Sequence, residues 1–251
     1  MLRILTSLSV ATLFISVTSF AKDMSLTTTD KFTLKASYYQ AKISEQSKIN
    51  HGVLMLHQCN FNRTMYDDIG KQLAEQGIHA LSIDFRGFGE SVSEKYSVSK
   101  VRELPQEQRR AAWSEMSAHW PSDVKLAFDY LQAKIAQGGK VGVIGASCGG
   151  SQAITLAEKE NISAISFFSS AQRDENIERY KVKLANTATL IIAAEEDGRT
   201  YTSAQQIFKE AKHASSKMIS YKGSEHGYPL LDSDKQLTQT IVAWFDNELK
   251  D

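Results

Sequence analysis

Short, nearly continuous apolar runs separated by helical patterns dominate the chain after residue 50. Five such runs occur, at residues 52–57, 80–85, 141–145, 165–168 and 189–194. Apolar residues at helical spacing lie between most of them, as at residues 66–76, 124–136, 152–158 and 204–211. Continuous apolar strands that alternate with helices are typical of a parallel sheet covered on both faces. The pattern therefore predicts an α/β fold with helices on both faces of its sheet.

Further elements are predicted at the two ends of this alternation. Residues 25–29 and 32–40 alternate or are rich in Thr and Tyr, which predicts an opening antiparallel pair. Residues 218–221 predict a last strand, and apolar residues at four-residue spacing over 237–249 predict a C-terminal amphipathic helix. We therefore expect a single domain over residues 22–251, built on a mostly parallel central sheet of about eight strands.

One polar stretch, residues 91–120, interrupts the alternation after the fourth strand. It lacks strand runs and is long for a connection in a compact domain. It is either a partly helical insertion over one end of the sheet or a mobile loop. Its apolar residues Trp113, Met116 and Trp120 predict that it partly covers a substrate pocket for small or medium acyl groups.

The first 21 residues have the pattern of a signal peptide. Arg3 supplies the positive charge, residues 4–17 are mostly apolar, and Ser19 and Ala21 provide small residues at the cleavage site. The apolar stretch is shorter than the roughly 20 residues that a membrane-spanning helix needs. No cysteine follows the cleavage point before Cys59, so a lipid anchor is not predicted. We therefore expect an exported protein, periplasmic or secreted, without a stable membrane anchor.

Composition and charge exclude several classes of function. The chain has 29 Lys plus Arg and 29 Asp plus Glu, and 42% of its residues are hydrophobic, enough for a full core. A formal net charge of zero provides no global field that would concentrate polyanions, so nucleic-acid binding is not expected. The two cysteines lack the paired spacing of a zinc site.

The motif with the clearest chemistry is Gly-Ala-Ser-Cys-Gly at residues 145–149. It lies directly after a predicted strand and directly before a helical pattern. A serine on such a sharp turn has a strained backbone, and Gly145 and Gly149 lack the bulk that would keep strand and helix apart. The turn lifts the hydroxyl above the sheet edge, where the amides that open the helix face a developing negative charge. We therefore predict Ser147 as a catalytic nucleophile.

A serine hydroxyl needs a base to remove its proton and a carboxylate to orient that base. His226 follows the last predicted strand, and Asp197 follows the strand before it. The chain order Ser147, Asp197, His226 resembles the order of the catalytic residues in α/β-hydrolases. Glu195 and Glu196 are competing acids, and we rank Asp197 first because it lies in the loop proper.

Two backbone amides are predicted to stabilise the oxyanion. One is the N–H of Cys148, directly after the nucleophile, and the other is the N–H of Cys59 or of Gln58 in the loop after an early strand. Each cysteine is interpreted as a small buried residue. A Cys59–Cys148 disulfide is the minority alternative, since amides that share one oxygen are close enough in space.

Metal binding is not predicted. His51, His57 and Cys59 lie on or beside a buried strand without an acidic partner nearby, which favours a role in the core. His57 is expected to shape the oxyanion loop and not to act as a second base, because one base is sufficient to carry the proton.

Taken together, these motifs resemble the α/β-hydrolase superfamily. The resemblance runs over residues 52–249 and is carried by five segments in order: residues 56–58, residues 84–91, the 145–149 elbow, the Asp197 loop and the His226 loop. Within the superfamily the chain is similar to the dienelactone-hydrolase-like and serine-aminopeptidase-like groups, which carry little or no cap. The resemblance implies the α/β-hydrolase fold and hydrolysis of an ester, thioester or amide through an acyl-serine, without a metal or organic cofactor.

Two features depart from the dienelactone hydrolases. Those enzymes have cysteine as the nucleophile, where this chain has Ser147 followed by Cys148, and the oxyanion loop reads His-Gln at residues 57–58 in place of the commoner His-Gly. The sequence favours a serine hydrolase that acts on a small-molecule carboxylic ester. The alternatives are a non-catalytic binding protein on the same fold, a peptidase, and a haloperoxidase-like or dehalogenase-like enzyme; Ser147 disfavours the dehalogenase, which uses an aspartate nucleophile.

Overall fold

An eight-stranded sheet forms the centre of the computed structural model, which describes residues 21–42 and 50–250. The predicted signal peptide lies outside these residues except for Ala21. The strands are β1 (Lys22–Thr27), β2 (Thr33–Tyr39), β3 (His51–Leu56), β4 (Ile78–Ile83), β5 (Val141–Ala146), β6 (Ala164–Phe168), β7 (Ala188–Ala194) and β8 (Lys217–Tyr221). Their spatial order is β1-β2-β4-β3-β5-β6-β7-β8.

The sheet is mostly parallel. β1 pairs antiparallel with β2, and β2 pairs antiparallel with β4. All the remaining pairs, from β4 through β3 and β5 to β8, are parallel. Because these strands are parallel, their carboxyl ends lie at the same edge of the sheet, and the loops that follow β3, β5, β6, β7 and β8 all emerge there. This edge holds every residue predicted to take part in catalysis.

Helices lie on both faces of the sheet. They are α1 (Asp67–Glu75), α2 (Val98–Glu103), α3 (Gln106–Ser117), α4 (Trp120–Gln132), α5 (Cys148–Ala157), α6 (Asp174–Lys183), α7 (Gly198–Glu210), α8 (Tyr228–Ser233) and α9 (Lys235–Lys250). A short 3₁₀ helix, Arg63–Tyr66, precedes α1. Among the described residues no helix is both long and apolar enough to cross a membrane.

Two apolar layers make up the core, one on each face of the sheet. The first includes residues of α4, α5 and α7, and the second includes residues of α1, α8 and α9. The alternate residues of β5 divide between the layers, since Val143 belongs to the first and Ile144 to the second. α9 approaches β5 closely because Gly142 has no side chain; a Cβ there would lie 2.7 Å from a ring carbon of Phe245.

The predicted fold is confirmed: the sheet has eight strands, is mostly parallel and carries helices on both faces. Every strand is buried over most of its length except β1 and β8, which are the two outermost strands of the sheet. α6 had no helical pattern of its own in the sequence, because Tyr180 is its one buried residue. The helix is amphipathic on too narrow a face for its apolar spacing to be recognised.

The insertion after the fourth strand is helical. It contains α2 and α3 and leads into α4. Trp113, on α3, packs edge-on against Phe88 and Trp120, with ring centroids 6.0 Å and 5.6 Å away. Phe88 in turn lies 5.3 Å from the ring of His57. The insertion is thus joined by aromatic contacts to the loop that follows β3.

Candidate active site

The turn between β5 and α5 has a strained backbone at its serine. Ser147 has φ 50° and ψ −116°, one of three non-glycine residues with positive φ among those described. A Cβ at Gly145 would lie 2.4 Å from the carbonyl carbon of Gly149, and one at Gly149 would lie 2.3 Å from the Leu56 oxygen. Backbone atoms block both positions, so only glycine allows α5 to approach β5 and β3 this closely.

Hydrogen bonds from the next strand hold this turn. The Ser147 amide donates to the Phe168 oxygen at 2.9 Å, and the Ser170 hydroxyl donates to the Ser147 oxygen. Gln172 donates to the Ser170 hydroxyl at 2.6 Å and accepts from the Ser151 hydroxyl at 3.1 Å. The strained turn is therefore supported from outside, as a strained functional residue requires.

The loop after β3 is organised around Gln58. The Gln58 amide donates to Met65 Sδ at 3.5 Å, and the Gln58 oxygen accepts from the Phe61 amide at 3.1 Å. Of the two amides predicted from this loop, the Gln58 N–H is therefore engaged. Among the described residues the Cys59 N–H has no hydrogen-bond partner, which leaves it available to an oxygen of a bound substrate.

His57 is fully buried and uses both ring nitrogens within the protein. Its Nδ1 lies 2.7 Å from the Gln58 oxygen, and its Nε2 accepts from the Phe85 amide at 3.0 Å. The acceptor role of Nε2 places the proton on Nδ1, which then donates to Gln58. Burial lowers the pKa of His57 to about 4, because the charged ring would lose its hydration. His57 is thus neutral and holds the loop, as the sequence suggested.

A disulfide joins the two residues that carry the predicted oxyanion amides. Cys59 and Cys148 are bonded, with Cα atoms 5.8 Å apart and 89 positions of sequence between them. The preferred interpretation of each cysteine as a free, small buried residue is wrong, and the minority alternative holds. The sequence could not decide this because the Cα separation depends on how closely α5 packs against the loop after β3.

The predicted base and acid are in contact. His226 Nδ1 lies 2.6 Å from Asp197 Oδ2, with side chains 33% and 18% exposed. This bond leaves Nε2 as the ring nitrogen that can accept a proton. Of the competing acids, Glu195 pairs with Lys222 at 2.5 Å and Glu196 is exposed. In the described structure Asp197 is the carboxylate bound to this imidazole.

The segment that carries His226 crosses the edge of the sheet. His226 follows β8 and contacts Asp197 after β7, whereas Tyr228 donates its amide at 2.7 Å to the Gln58 side chain after β3. β5 lies between β3 and β7 in the sheet. The His226–Tyr228 segment therefore connects the loops that follow β3 and β7, and Ser147 follows β5, one of the two strands between them.

Five of the six predicted residues take part in three contacts at this end of the sheet, which are Asp197–His226, Gln58–Tyr228 and Cys59–Cys148. Asp197 binds His226, and Gln58 and the disulfide tie the neighbours of His226 to the neighbour of Ser147. Among the described hydrogen bonds, none joins the Ser147 hydroxyl directly to the imidazole. Catalytic hydrogen bonds are often long in structures without a bound substrate. The arrangement can supply a hydroxyl nucleophile, a base with an orienting carboxylate, and two amide donors.

The histidines and cysteines considered from the sequence do not form a cluster of metal ligands within the described part of the chain. Among the described residues there is no group of three or more His, Cys, Asp and Glu side chains that could hold a metal ion. His51 and His57, considered from the sequence, are both buried, and burial lowers the pKa of each. Each is hydrogen-bonded to backbone amides or carbonyls.

Sequence reasoning missed the supporting roles of three polar side chains. Gln58 was considered only for its amide, although its side chain anchors the loop that carries the base. Ser170 and Gln172 support the serine turn and follow β6 directly. The sequence feature that could have indicated these roles is the position of polar residues directly after a buried parallel strand, because binding sites of open α/β sheets lie at the carboxyl ends of the strands.

The comparison with protein families identifies one match. Residues 39–241 match the model of the dienelactone hydrolase family. A search of curated proteins finds no match.

Solved structures with the same fold include hydrolases. A dienelactone hydrolase from Anabaena variabilis has a TM-score of 0.65 and 18% identity, covering 93% of this chain and 100% of that one. An esterase from Exiguobacterium antarcticum has a TM-score of 0.61 and 16% identity, with coverages of 89% and 99%. A cold-adapted esterase from an Arctic intertidal metagenomic library has a TM-score of 0.66 and 16% identity, with coverages of 94% and 96%.

Proposed function

The chain belongs to the dienelactone hydrolase family of the α/β-hydrolase superfamily, and from that premise we propose that it hydrolyses carboxylic esters through an acyl-serine at Ser147. Membership of this family identifies the chain as a hydrolase. Our proposal concerns which residue is the nucleophile and which bond is cleaved. The observation that carries it is the contact between His226 and Asp197, on a segment that connects the loops after β3 and β7, while the strained Ser147 turn follows β5 between these strands.

The proposed reaction begins when His226 Nε2 takes the proton from the Ser147 hydroxyl. The hydroxyl oxygen then bonds to the substrate carbonyl carbon, and the carbonyl oxygen becomes an oxyanion that accepts from the amides of Cys59 and Cys148. Collapse of this intermediate breaks the bond to the alcohol, which leaves with the proton from His226. A water molecule repeats the sequence on the acyl-serine and releases the carboxylic acid.

Asp197 has the role of orienting His226. It accepts from Nδ1–H, which selects the tautomer with a basic Nε2 and stabilises the imidazolium once that nitrogen is protonated. Dienelactone hydrolases have a cysteine nucleophile, according to the resemblance described above. We propose a serine nucleophile for this chain because Ser147 stands at that position and Cys148 is in a disulfide. Cys148 is bonded to Cys59 and therefore has no thiol with which to attack a carbonyl.

The substrate we propose is a small-molecule ester, with no metal or organic cofactor and no nucleic-acid partner. A short-chain p-nitrophenyl ester supplies the assay, and Ser147→Ala supplies the test. We expect kcat to fall by a factor of about 10⁴ or more, because no other group replaces the nucleophile. Ser114→Ala is the matched control, since Ser114 is exposed on α3. Ser147→Ala with unchanged turnover would refute the proposal.

The same variants separate the alternative functions. A peptidase would cleave an aminoacyl p-nitroanilide faster than the ester, and that cleavage would also depend on Ser147. A binding protein on this fold would cleave neither, and the wild-type and Ser147→Ala proteins would behave alike. Only ester hydrolysis that Ser147→Ala abolishes agrees with the proposal.

We also propose that the protein is exported to the periplasm or secreted. Support comes from the apolar pattern of residues 1–21 and from the Cys59–Cys148 disulfide, since disulfides persist in oxidising compartments. N-terminal sequencing of the exported protein is expected to begin at Lys22. An intact Met1 on protein that stays in the cytoplasm would refute export.

A further inference from the structure

We propose that the Cys59–Cys148 disulfide is a positioning element of the oxyanion hole, so that the rate of hydrolysis depends on its oxidised state. The inference rests on the proposed function, because it concerns the same two backbone amides. The disulfide does not join distant parts of the surface: it joins the residue after the nucleophile to the residue that carries the second amide. With Cα atoms 5.8 Å apart, it fixes one donor relative to the other.

The end of the disulfide that needs this constraint is Cys59. The residue before it, Gln58, is held at its amide by Met65, at its carbonyl by Phe61 and at its side chain by Tyr228. Cys59 itself makes no hydrogen bond among those described, and it lies in a turn. The direction of its N–H is therefore set by Gln58 on one side and by the sulfur bridge on the other.

The opposite end of the disulfide is rigid. Cys148 is the first residue of α5, and its neighbour Gly149 packs against the Leu56 oxygen so closely that no side chain fits. The Ser170 hydroxyl and the Phe168 oxygen hold Ser147 on the other side. The bridge thus extends the rigidity of the serine turn to Cys59.

The bond is open to chemical reduction, because both cysteines are partly exposed. A small dithiol such as dithiothreitol supplies the two electrons and two protons. One of its thiolates attacks a protein sulfur and breaks the S–S bond, which releases the other protein sulfur as a thiolate; its second thiol, as a thiolate, then attacks the mixed disulfide and releases the second protein thiolate. The products are two protein thiols and the cyclic oxidised dithiol.

The expected effect is on kcat and not on KM. Each oxyanion donor contributes about 10²–10³ in kcat, and a displacement of about 1 Å at a catalytic group costs about 10²-fold. We therefore expect reduction to lower kcat by about 10- to 100-fold while KM changes less than about threefold. A trifluoromethyl ketone, which forms an oxyanion with the serine, is expected to lose affinity by the same factor as kcat.

The experiment compares the oxidised protein, the reduced protein, the reduced protein after reoxidation, and the Cys59→Ser variant. Rates of p-nitrophenyl ester hydrolysis are divided by the number of sites titrated with a fluorophosphonate, and near-UV circular dichroism follows the fold. We expect reduction and Cys59→Ser to lower kcat alike, reoxidation to restore it, and the reductant to leave Cys59→Ser unchanged. The Ser114→Ala variant, which keeps the disulfide, is expected to respond to the reductant as the wild type does.

Several results would overturn the inference. They are an unchanged kcat in the reduced, folded protein, a change confined to KM, and a loss of rate that follows loss of titratable sites and of near-UV signal. The last would assign the disulfide to stability alone. Failure of the proposed function looks different, because the oxidised protein would then hydrolyse esters no faster than Ser147→Ala.

Discussion

Replacement of Asp197 by asparagine tests which acid orients the base. Asp197 Oδ2 lies 2.6 Å from His226 Nδ1, and the side chain of Asp197 is 18% exposed. Asparagine has nearly the same shape but carries no charge, and its amide can donate to Nδ1 in place of accepting from it. The substitution therefore removes a charge and favours the wrong imidazole tautomer without creating a cavity.

The charge alone gives a lower limit to the effect. Opposite unit charges about 4 Å apart attract by about 4 kcal/mol at the effective dielectric constant of about 20 that applies near a surface. This attraction exists in the transition state, when the imidazole is protonated, and its loss slows the reaction about 10³-fold. Loss of the correct tautomer adds to this, and removal of the carboxylate from a Ser-His-Asp site slows turnover about 10⁴-fold. We therefore expect Asp197→Asn to turn over substrate about 10³- to 10⁴-fold more slowly than the wild type, within the range of these two values.

The assay is steady-state hydrolysis of a short-chain p-nitrophenyl ester. Glu195→Gln and Glu196→Gln serve as controls, because Glu195 pairs with Lys222 and Glu196 is exposed. Both are expected to keep kcat within about threefold of the wild type, as surface substitutions usually do. Asp197→Asn with turnover within about tenfold of the wild type, or a large loss in either control, would refute the assignment.

Three further predictions concern stability, each measured as the free energy of unfolding in denaturant. Burial lowers the pKa of His57 to about 4, whereas His57 in the unfolded chain has a pKa of about 6.5. As the pH falls from about 6.5 towards 4, the unfolded chain binds a proton that the folded protein does not, so the free energy of unfolding decreases over this range; above about pH 6.5 it does not depend on His57 titration. From pH 7 to pH 5 this loss is about 2 kcal/mol, and a His57→Gln variant is expected to lack that share of the pH dependence. Gly149→Ala places a Cβ 2.3 Å from the Leu56 oxygen and is expected to lower the free energy of unfolding by about 2–3 kcal/mol, whereas a change below about 0.5 kcal/mol would contradict the close approach. The double variant Cys59→Ala, Cys148→Ala opens a loop of 89 positions and is expected to lose about 4.5 kcal/mol; a loss below about 1 kcal/mol would show that the bridge does not constrain the unfolded chain.

The fold could be predicted because its strands are buried on both faces. Residues of β3, β4, β5, β6 and β7 are buried throughout, so each appears in the sequence as a nearly continuous apolar run. α6 could not be predicted, since it covers the sheet with Tyr180 and exposes most other positions. Apolar periodicity reports burial, and an element that buries one residue gives no period.

The site could be predicted only where the backbone conformation or close packing allows a single residue type. The Ser147 turn is recognisable because glycine alone fits at residues 145 and 149. The disulfide and the anchoring role of the Gln58 side chain could not be predicted, because both depend on distances between loops that are far apart in sequence. Such distances are set by how α5 and the His226 segment pack over the sheet edge, and local sequence carries no signal of them.

The most direct test of the central claim is to locate the covalent adduct formed with a fluorophosphonate. The oxidised protein is labelled, digested and analysed by peptide mass spectrometry. The account predicts one adduct on Ser147, formed quickly in the wild type and lost in His226→Ala, because an activated hydroxyl is needed for attack. An adduct on another residue, or ester hydrolysis without any adduct on Ser147, would contradict it.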